Sequence, residues 1–134
     1  MVILFVAKDY SQFSALVTRL GQQQDIQLVP ALTGTAGLAY LKASTVDLVI
    51  VDEQLDDMSG IALVKQVVKV NPLVNTAIIS TLPAEDFHEN TEGLGVLMQL
   101  PPQPLAGDAE ALLAVLKKIG GLMPLKLQPP KAAS

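Results

Sequence analysis

Val46-Asp47-Leu48-Val49-Ile50-Val51-Asp52-Glu53-Gln54-Leu55-Asp56-Asp57-Met58-Ser59-Gly60 holds the most sharply patterned change in the chain, from an apolar run through an acidic turn to helical spacing. Val46 to Val51 is a short, β-branched, almost wholly apolar run. A strand buried on both faces needs that composition, because neither set of alternating side chains reaches water. The run stops at Asp52 and gives way to an acidic turn, Asp52 to Asp57. From about Ser59 the spacing changes to that of a helix, with Ile61, Val64, Val67 and Val68 on one side and an end near Asn71-Pro72. Strand, polar turn and amphipathic helix in that order form one half of a β-α-β crossover.

The same alternation runs outward in both directions. Val2 to Ala7 reads as a first strand, and Ser11 as the cap of a helix carrying Phe13, Leu16, Val17 and Leu20 and stopping at Gly21. Ile26 to Leu32 reads as a second strand, and Pro30 inside it points to a sheet edge. Thr33 to Ala43 reads as a short helix diluted by Gly34 and Gly37. Beyond the central unit, Thr76 to Ser80 and Val96 to Leu100 read as strands. Pro83 to Glu92 reads as a short helix with Phe87 as its one large apolar side chain. Asp108 is expected to cap a last helix carrying Leu112, Leu113, Leu116 and Ile119, closed by Gly120-Gly121. Five such β-α units imply an α/β fold: a five-stranded parallel sheet with helices on both faces. One domain over residues 1–121 is expected, with 122–134, which holds three prolines, as a tail or the start of a linker.

Composition removes whole classes of function. Half of the 134 residues are hydrophobic and 16% are charged, which suits a globule and not a disordered chain. The net charge of −4 and the absence of Trp leave no basic footprint or stacking platform for nucleic acid. With no cysteine there is no disulfide, thiolate nucleophile or Cys-ligated zinc, and a reducing cytoplasm is permitted. The first apolar run is too short to span a bilayer and lacks the flanks of a signal peptide, so no membrane role is expected.

In parallel sheets of this kind chemistry gathers where strands end at their carboxyl side. The residues there are Lys8, Asp9, Asp52, Thr81 and Leu100. Asp9 and Asp52 would repel one another unless a cation sat between them, and magnesium suits two hard carboxylates. Thr81 would offer a hydroxyl to an anion beside that cation.

The segment from Val49 to Gly60 resembles the phosphoacceptor turn of response-regulator receiver domains, the chemotaxis-regulator-like modules of two-component signalling. In that family an apolar strand ends in the phosphorylated Asp and a Gly follows eight residues later, as Gly60 follows Asp52. Lys8-Asp9-Tyr10-Ser11 sits where the family has an acidic pair. Ile78-Ile79-Ser80-Thr81 matches the strand that ends in a hydroxyl residue, and Leu97-Met98-Gln99-Leu100-Pro101 the strand that ends in Lys-Pro. The resemblance spans about Met1 to Gly121. It implies the flavodoxin-like strand order 2-1-3-4-5, no enzymatic action on metabolites, and a histidine kinase or phosphotransfer protein as partner. It further implies Asp52 as phosphoacceptor, Thr81 as the residue that senses the phosphoryl group, and Asp9, Asp52 and the Gln54 carbonyl as ligands of Mg2+. A cis Leu100-Pro101 bond is expected by the same likeness.

Departures from the family pattern carry equal weight. Lys8 replaces the first acid of the pair, Leu100 replaces the lysine that contacts the phosphoryl group, Asp56 stands at the usual Pro, and Leu97 at the usual aromatic position. Asp9, Asp52 and Lys8 together carry one net negative charge where the family pattern carries two, so weak magnesium binding is expected. Lys8 can serve as a built-in cation in its place. Two functions follow: a phosphorelay receiver with an atypical site, or a pseudo-receiver of the same fold that binds a protein partner or forms a homodimer through a surface including Leu94, Val96, Leu97 and Met98. A flavin-type cofactor binder is the third class, and the chain lacks the Gly-rich phosphate loop it would need after the first strand.

Overall fold

The computed structural model describes residues 1–122, and the tail expected beyond them lies outside the described residues except for Leu122. Five strands, β1 (Val2–Val6), β2 (Gln27–Ala31), β3 (Leu48–Asp52), β4 (Asn75–Ile79) and β5 (Val96–Leu100), form one parallel sheet in the order β2-β1-β3-β4-β5. The connecting helices are α1 (Ser14–Gly21), α2 (Gly34–Ala43), α3 (Gly60–Val70), α4 (Ala84–Thr91) and α5 (Ala106–Leu122). Strand order and class agree with the expectation from the sequence.

Each strand's alternation splits the core into two layers. Ile3, Phe5, Leu48, Ile50, Ala77, Ile79 and Leu100 face Phe13, Leu16 and Leu20 near and along α1 and Ala109, Leu112 and Leu116 of α5. Leu4, Val6, Val49, Val51 and Ile78 face Leu38 and Leu41 of α2, Leu63, Val64 and Val67 of α3, and Phe87 of α4. Burial on both faces explains why β1 and β3 are apolar at every position until Asp52. Pro30 sits on edge strand β2, where its missing N–H breaks no ladder.

Several local expectations are corrected by packing. The buried side of α3 is Leu63, Val64 and Val67, while Ile61 and Val68 are only half-buried, because the helix leans onto two strands at once. Ser11 does not cap α1 with its side chain. A 3-10 turn, Ser11–Phe13, precedes the helix, and the Asp9 carboxylate accepts from the Ser11 N–H at 2.9 Å instead. Asp108 lies inside α5, reaching back to accept from the Leu105 N–H at 2.8 Å, the inward half of a capping box. α5 runs through Gly120-Gly121 to Leu122 rather than closing on them. The Leu100-Pro101 bond is trans.

Candidate functional site

Asp52 is the last residue of β3, at the centre of the sheet, and β1 and β4 flank it on either side. The pairing Val6↔Val51 brings the end of β1 level with it, so the turn Ala7-Lys8-Asp9 leaves the sheet along the same rim. That turn is tied down on its other side. The Ala7 N–H donates to the Ala31 carbonyl at 3.0 Å. The Tyr10 hydroxyl donates to the Ala31 carbonyl at 2.9 Å and accepts from the Ala31 N–H at 3.0 Å.

Gly60 supports Asp52 from below. Its N–H donates to the Glu53 carbonyl at 2.8 Å, and the Leu55 N–H to the Met58 carbonyl at 3.1 Å, folding residues 53–60 into a tight hairpin-like turn. These two bonds flank the antiparallel pair Gln54 and Ser59, and neither uses the Gln54 carbonyl. A methyl group on Gly60 would collide with the Asp52 carbonyl oxygen and lie 3.0 Å from Glu53 Cα. The eight-residue spacing between Asp52 and Gly60 is therefore a requirement of backbone contact. Ser59 then starts α3 by accepting from the Ala62 N–H at 3.1 Å.

Electrostatics at the rim are set first by burial and local hydrogen bonds, with Lys8 the smallest contributor. Asp52 is half-buried, and loss of water pushes its carboxyl above the usual carboxylate range. The Glu53 N–H and the Lys8 ammonium pull it back, while the Glu53 charge raises it further. Asp9 is held below its ordinary value, first by the Ser11 hydrogen bonds and lastly by Lys8. One exposed ammonium thus acts on both carboxylates. Leu100, by contrast, is fully buried in the core and brings no polar atom to the rim.

Magnesium fits these residues poorly. Among the described residues no group of three His, Cys, Asp or Glu side chains converges as a metal cage. Of the two candidate acids, Asp9 is already engaged by the Ser11 N–H, and Lys8 supplies positive charge to both. Magnesium prefers near-ideal octahedral oxygen ligation, of which two side-chain carboxylates supply only a part.

Three side chains escaped sequence reading. Glu53 Oε1 accepts from the Thr81 N–H at 3.0 Å, joining the turn after β3 to the loop after β4. The Gln99 amide donates to the Ser80 carbonyl at 3.3 Å and the Leu82 carbonyl at 2.8 Å. The Asp57 carboxylate accepts from the Gly34 N–H and the Thr35 N–H, both at 2.9 Å, and from the Thr35 hydroxyl at 2.8 Å. Thr33 accepts from the Ala36 N–H at 3.0 Å, so the open donors of α2's first turn are met by Thr33 and by an acid from another loop.

These bonds hold the Asp57 carboxyl below its ordinary value of 3.8. A depressed folded-state value adds stability above the unfolded value, and that stability is lost as pH falls through the folded value. Asp57→Ala should therefore lower the unfolding midpoint at neutral pH, with the gap to wild type closing as pH drops below 3.8. Asp52 has the opposite sign: its raised value removes stability as pH rises above 3.8, so Asp52→Asn should unfold at a higher midpoint than wild type near neutrality. Thermal unfolding of both variants across pH checks the pair of signs.

The likeness to known proteins agrees with this arrangement. The model of the response regulator receiver domain matches residues 3–100. The regulatory protein VanRc of Enterococcus gallinarum is 29% identical over 68 residues, a match that covers 51% of this chain and 29% of that protein. The chain thus spans under a third of that relative's length. A two-component response regulator from Clostridium difficile superposes with a TM-score of 0.76 at 18% identity, covering 89% of this chain and 98% of that one. The CheY-like receiver domain protein from Methanospirillum hungatei JF-1 gives a TM-score of 0.74 at 18% identity, covering 90% and 94%. At that identity the superpositions speak for the fold, and the family match over residues 3–100 supplies the rest: this chain belongs to the response regulator receiver domains of two-component signalling.

Proposed function

We propose that the domain is a phosphorelay receiver module with an atypical site, in which Asp52 is the phosphoacceptor and Thr81 senses the phosphoryl group. The observation that carries this reading is the placement of Asp52: a half-buried carboxylate ending the central strand, with its carbonyl braced by Gly60 and an ammonium nearby. In the reaction a carboxylate oxygen of Asp52 attacks the phosphorus of a phosphodonor. The bond from phosphorus to the donor's leaving atom breaks, the leaving group takes the electron pair, and an acyl phosphate remains. Lys8 is positioned by charge to screen the approaching anion, a task the buried Leu100 does not share. The module accepts a phosphoryl group and does not turn over a metabolite. Its partner is a histidine kinase or a phosphotransfer protein, its place is the cytoplasm, and its boundary falls near residue 121. Among the described residues no helix is long and apolar enough to cross a membrane.

Incubation of the full chain with acetyl phosphate, followed by intact mass, tests this. The expected result is a gain of one phosphoryl group that Asp52→Asn abolishes. No gain under conditions that label an ordinary receiver would remove the reading.

A second reading is favoured by one observation, the loss of the phosphoryl-contacting cation where Leu100 is buried. It makes the domain a pseudo-receiver that works as a protein-binding or dimerising module without phosphorylation. Leu94, Val96, Leu97 and Met98, all half-buried against the core, keep part of their surface for such a partner. Light scattering that finds only monomer, together with successful labelling of Asp52, would dismiss it.

A further inference from the structure

We propose that Glu53 and Gln99 are positioning residues that clamp the Thr81 segment in one conformation before any phosphoryl group arrives. In this chain the loop after β4 is then set by its own side chains. The inference rests on reading the rim as a receiver site, and its test needs no phosphorylation.

The segment Ser80-Thr81-Leu82 is held from three sides. The Ser80 N–H donates to the Leu100 carbonyl at 3.0 Å, extending the β4–β5 ladder by one bond. The Gln99 amide nitrogen donates to the carbonyls of Ser80 and Leu82, the two residues that flank Thr81. The Ser80 hydroxyl accepts from the Leu82 N–H at 3.1 Å, closing a small turn around Thr81. The remaining donor, the Thr81 N–H, goes to the Glu53 carboxylate. Glu53 is itself fixed, because its own N–H donates to the Ile79 carbonyl at 3.0 Å. A backbone N–H given to a carboxylate is a charge-assisted bond, stronger than its neutral counterpart.

The consequence is mechanical. The Thr81 backbone cannot shift toward Asp52 while its N–H holds Glu53 and both neighbouring carbonyls hold Gln99. Glu53 is the residue next to Asp52, so the same carboxylate that repels an incoming anion also ties down the loop that would report it. An open depression of about 420 Å³ lies beside the clamp, lined by Ser80, Thr81, Leu82, Gln99, Pro101 and Pro102. Its floor is therefore a fixed surface.

Amide hydrogen exchange on the unmodified full chain tests the clamp in wild type, Glu53→Ala, Glu53→Gln and Gln99→Leu. Gln at position 53 keeps an oxygen that can accept from the Thr81 N–H but carries no charge. The expected result is a protected Thr81 amide in wild type and in Glu53→Gln. Exchange should be about tenfold faster in Glu53→Ala and in Gln99→Leu, with β1 and β3 amides unchanged in all four. Thr81 exchanging in wild type at the rate of an open peptide would overturn the clamp. So would equal behaviour of Glu53→Ala and Glu53→Gln, or acceleration across the whole sheet. If acetyl phosphate fails to label Asp52 while Thr81 stays protected, the relay reading falls and the clamp stands.

Discussion

Gly60→Ala is expected to destabilise the domain by about 2–3 kcal/mol and to displace the Asp52 carbonyl, although alanine is the better helix former. In an open helix the change would gain up to about 1 kcal/mol from propensity and reduced unfolded-state entropy. Position 60 is not open. The added methyl would meet the Asp52 carbonyl oxygen, Glu53 Cα and Val51 Cγ1, the last two at 3.0 Å. Two of these are backbone atoms and cannot turn aside. The backbone cannot retreat either, since the Gly60 N–H is bound to the Glu53 carbonyl and the Glu53 N–H to the Ile79 carbonyl. Overpacking therefore outweighs propensity. Gly107→Ala is the matched control: it lies in the first turn of α5 with no heavy atom within 4 Å of the added carbon, so it should be neutral or stabilising. Urea unfolding of the two variants decides the point. If the two glycines respond alike, the backbone contact beneath Asp52 is not what position 60 requires.

Lys8→Asp should tighten magnesium binding at least tenfold. The swap removes one positive charge and adds one negative charge beside Asp9 and Asp52, the two carboxylates on which Lys8 now acts. Two unit charges 4 Å apart interact by about 1 kcal/mol even with the full screening of water. The ion is divalent and the local charge falls by two units, so the ~1.4 kcal/mol that a tenfold change represents is a modest demand. Lys8 is exposed, so the gain should shrink as salt is raised. Lys8→Ala should fall between wild type and Lys8→Asp. Calorimetric titration of magnesium into the three proteins checks the order. Equal affinities in all three would mean that Lys8 does not take the place of a cation at this rim.

How much of the molecule was legible beforehand depends on the range of the interactions involved. The unbroken apolar runs of β1 and β3 and the helical spacing around Leu16 and Leu20 are local properties. They gave the element order and, with the known handedness of crossovers, the sheet. Asp52 was visible because a carboxylate that ends an apolar run breaks its pattern. The positions of helix ends were less legible. Ser11 leaves α1 without a side-chain cap, its N–H going to Asp9 ahead of a 3-10 turn, and α5 runs past two glycines, because a terminus takes whatever partner is in reach.

The chain's own order of residues determined that this is a five-stranded parallel α/β domain with Asp52, Lys8, Asp9 and Thr81 following the strands that carry the site. Short-range periodicity suffices for that, because burial on one face or two is written into neighbouring positions. Folding in three dimensions is what brings Glu53 to Thr81, Gln99 to Ser80 and Leu82, and Asp57 to the first turn of α2. Those partners lie 28, 19, 17 and 23 residues apart along the chain. No local pattern marks them, since a polar side chain in a turn looks the same whether it faces water or a distant backbone N–H.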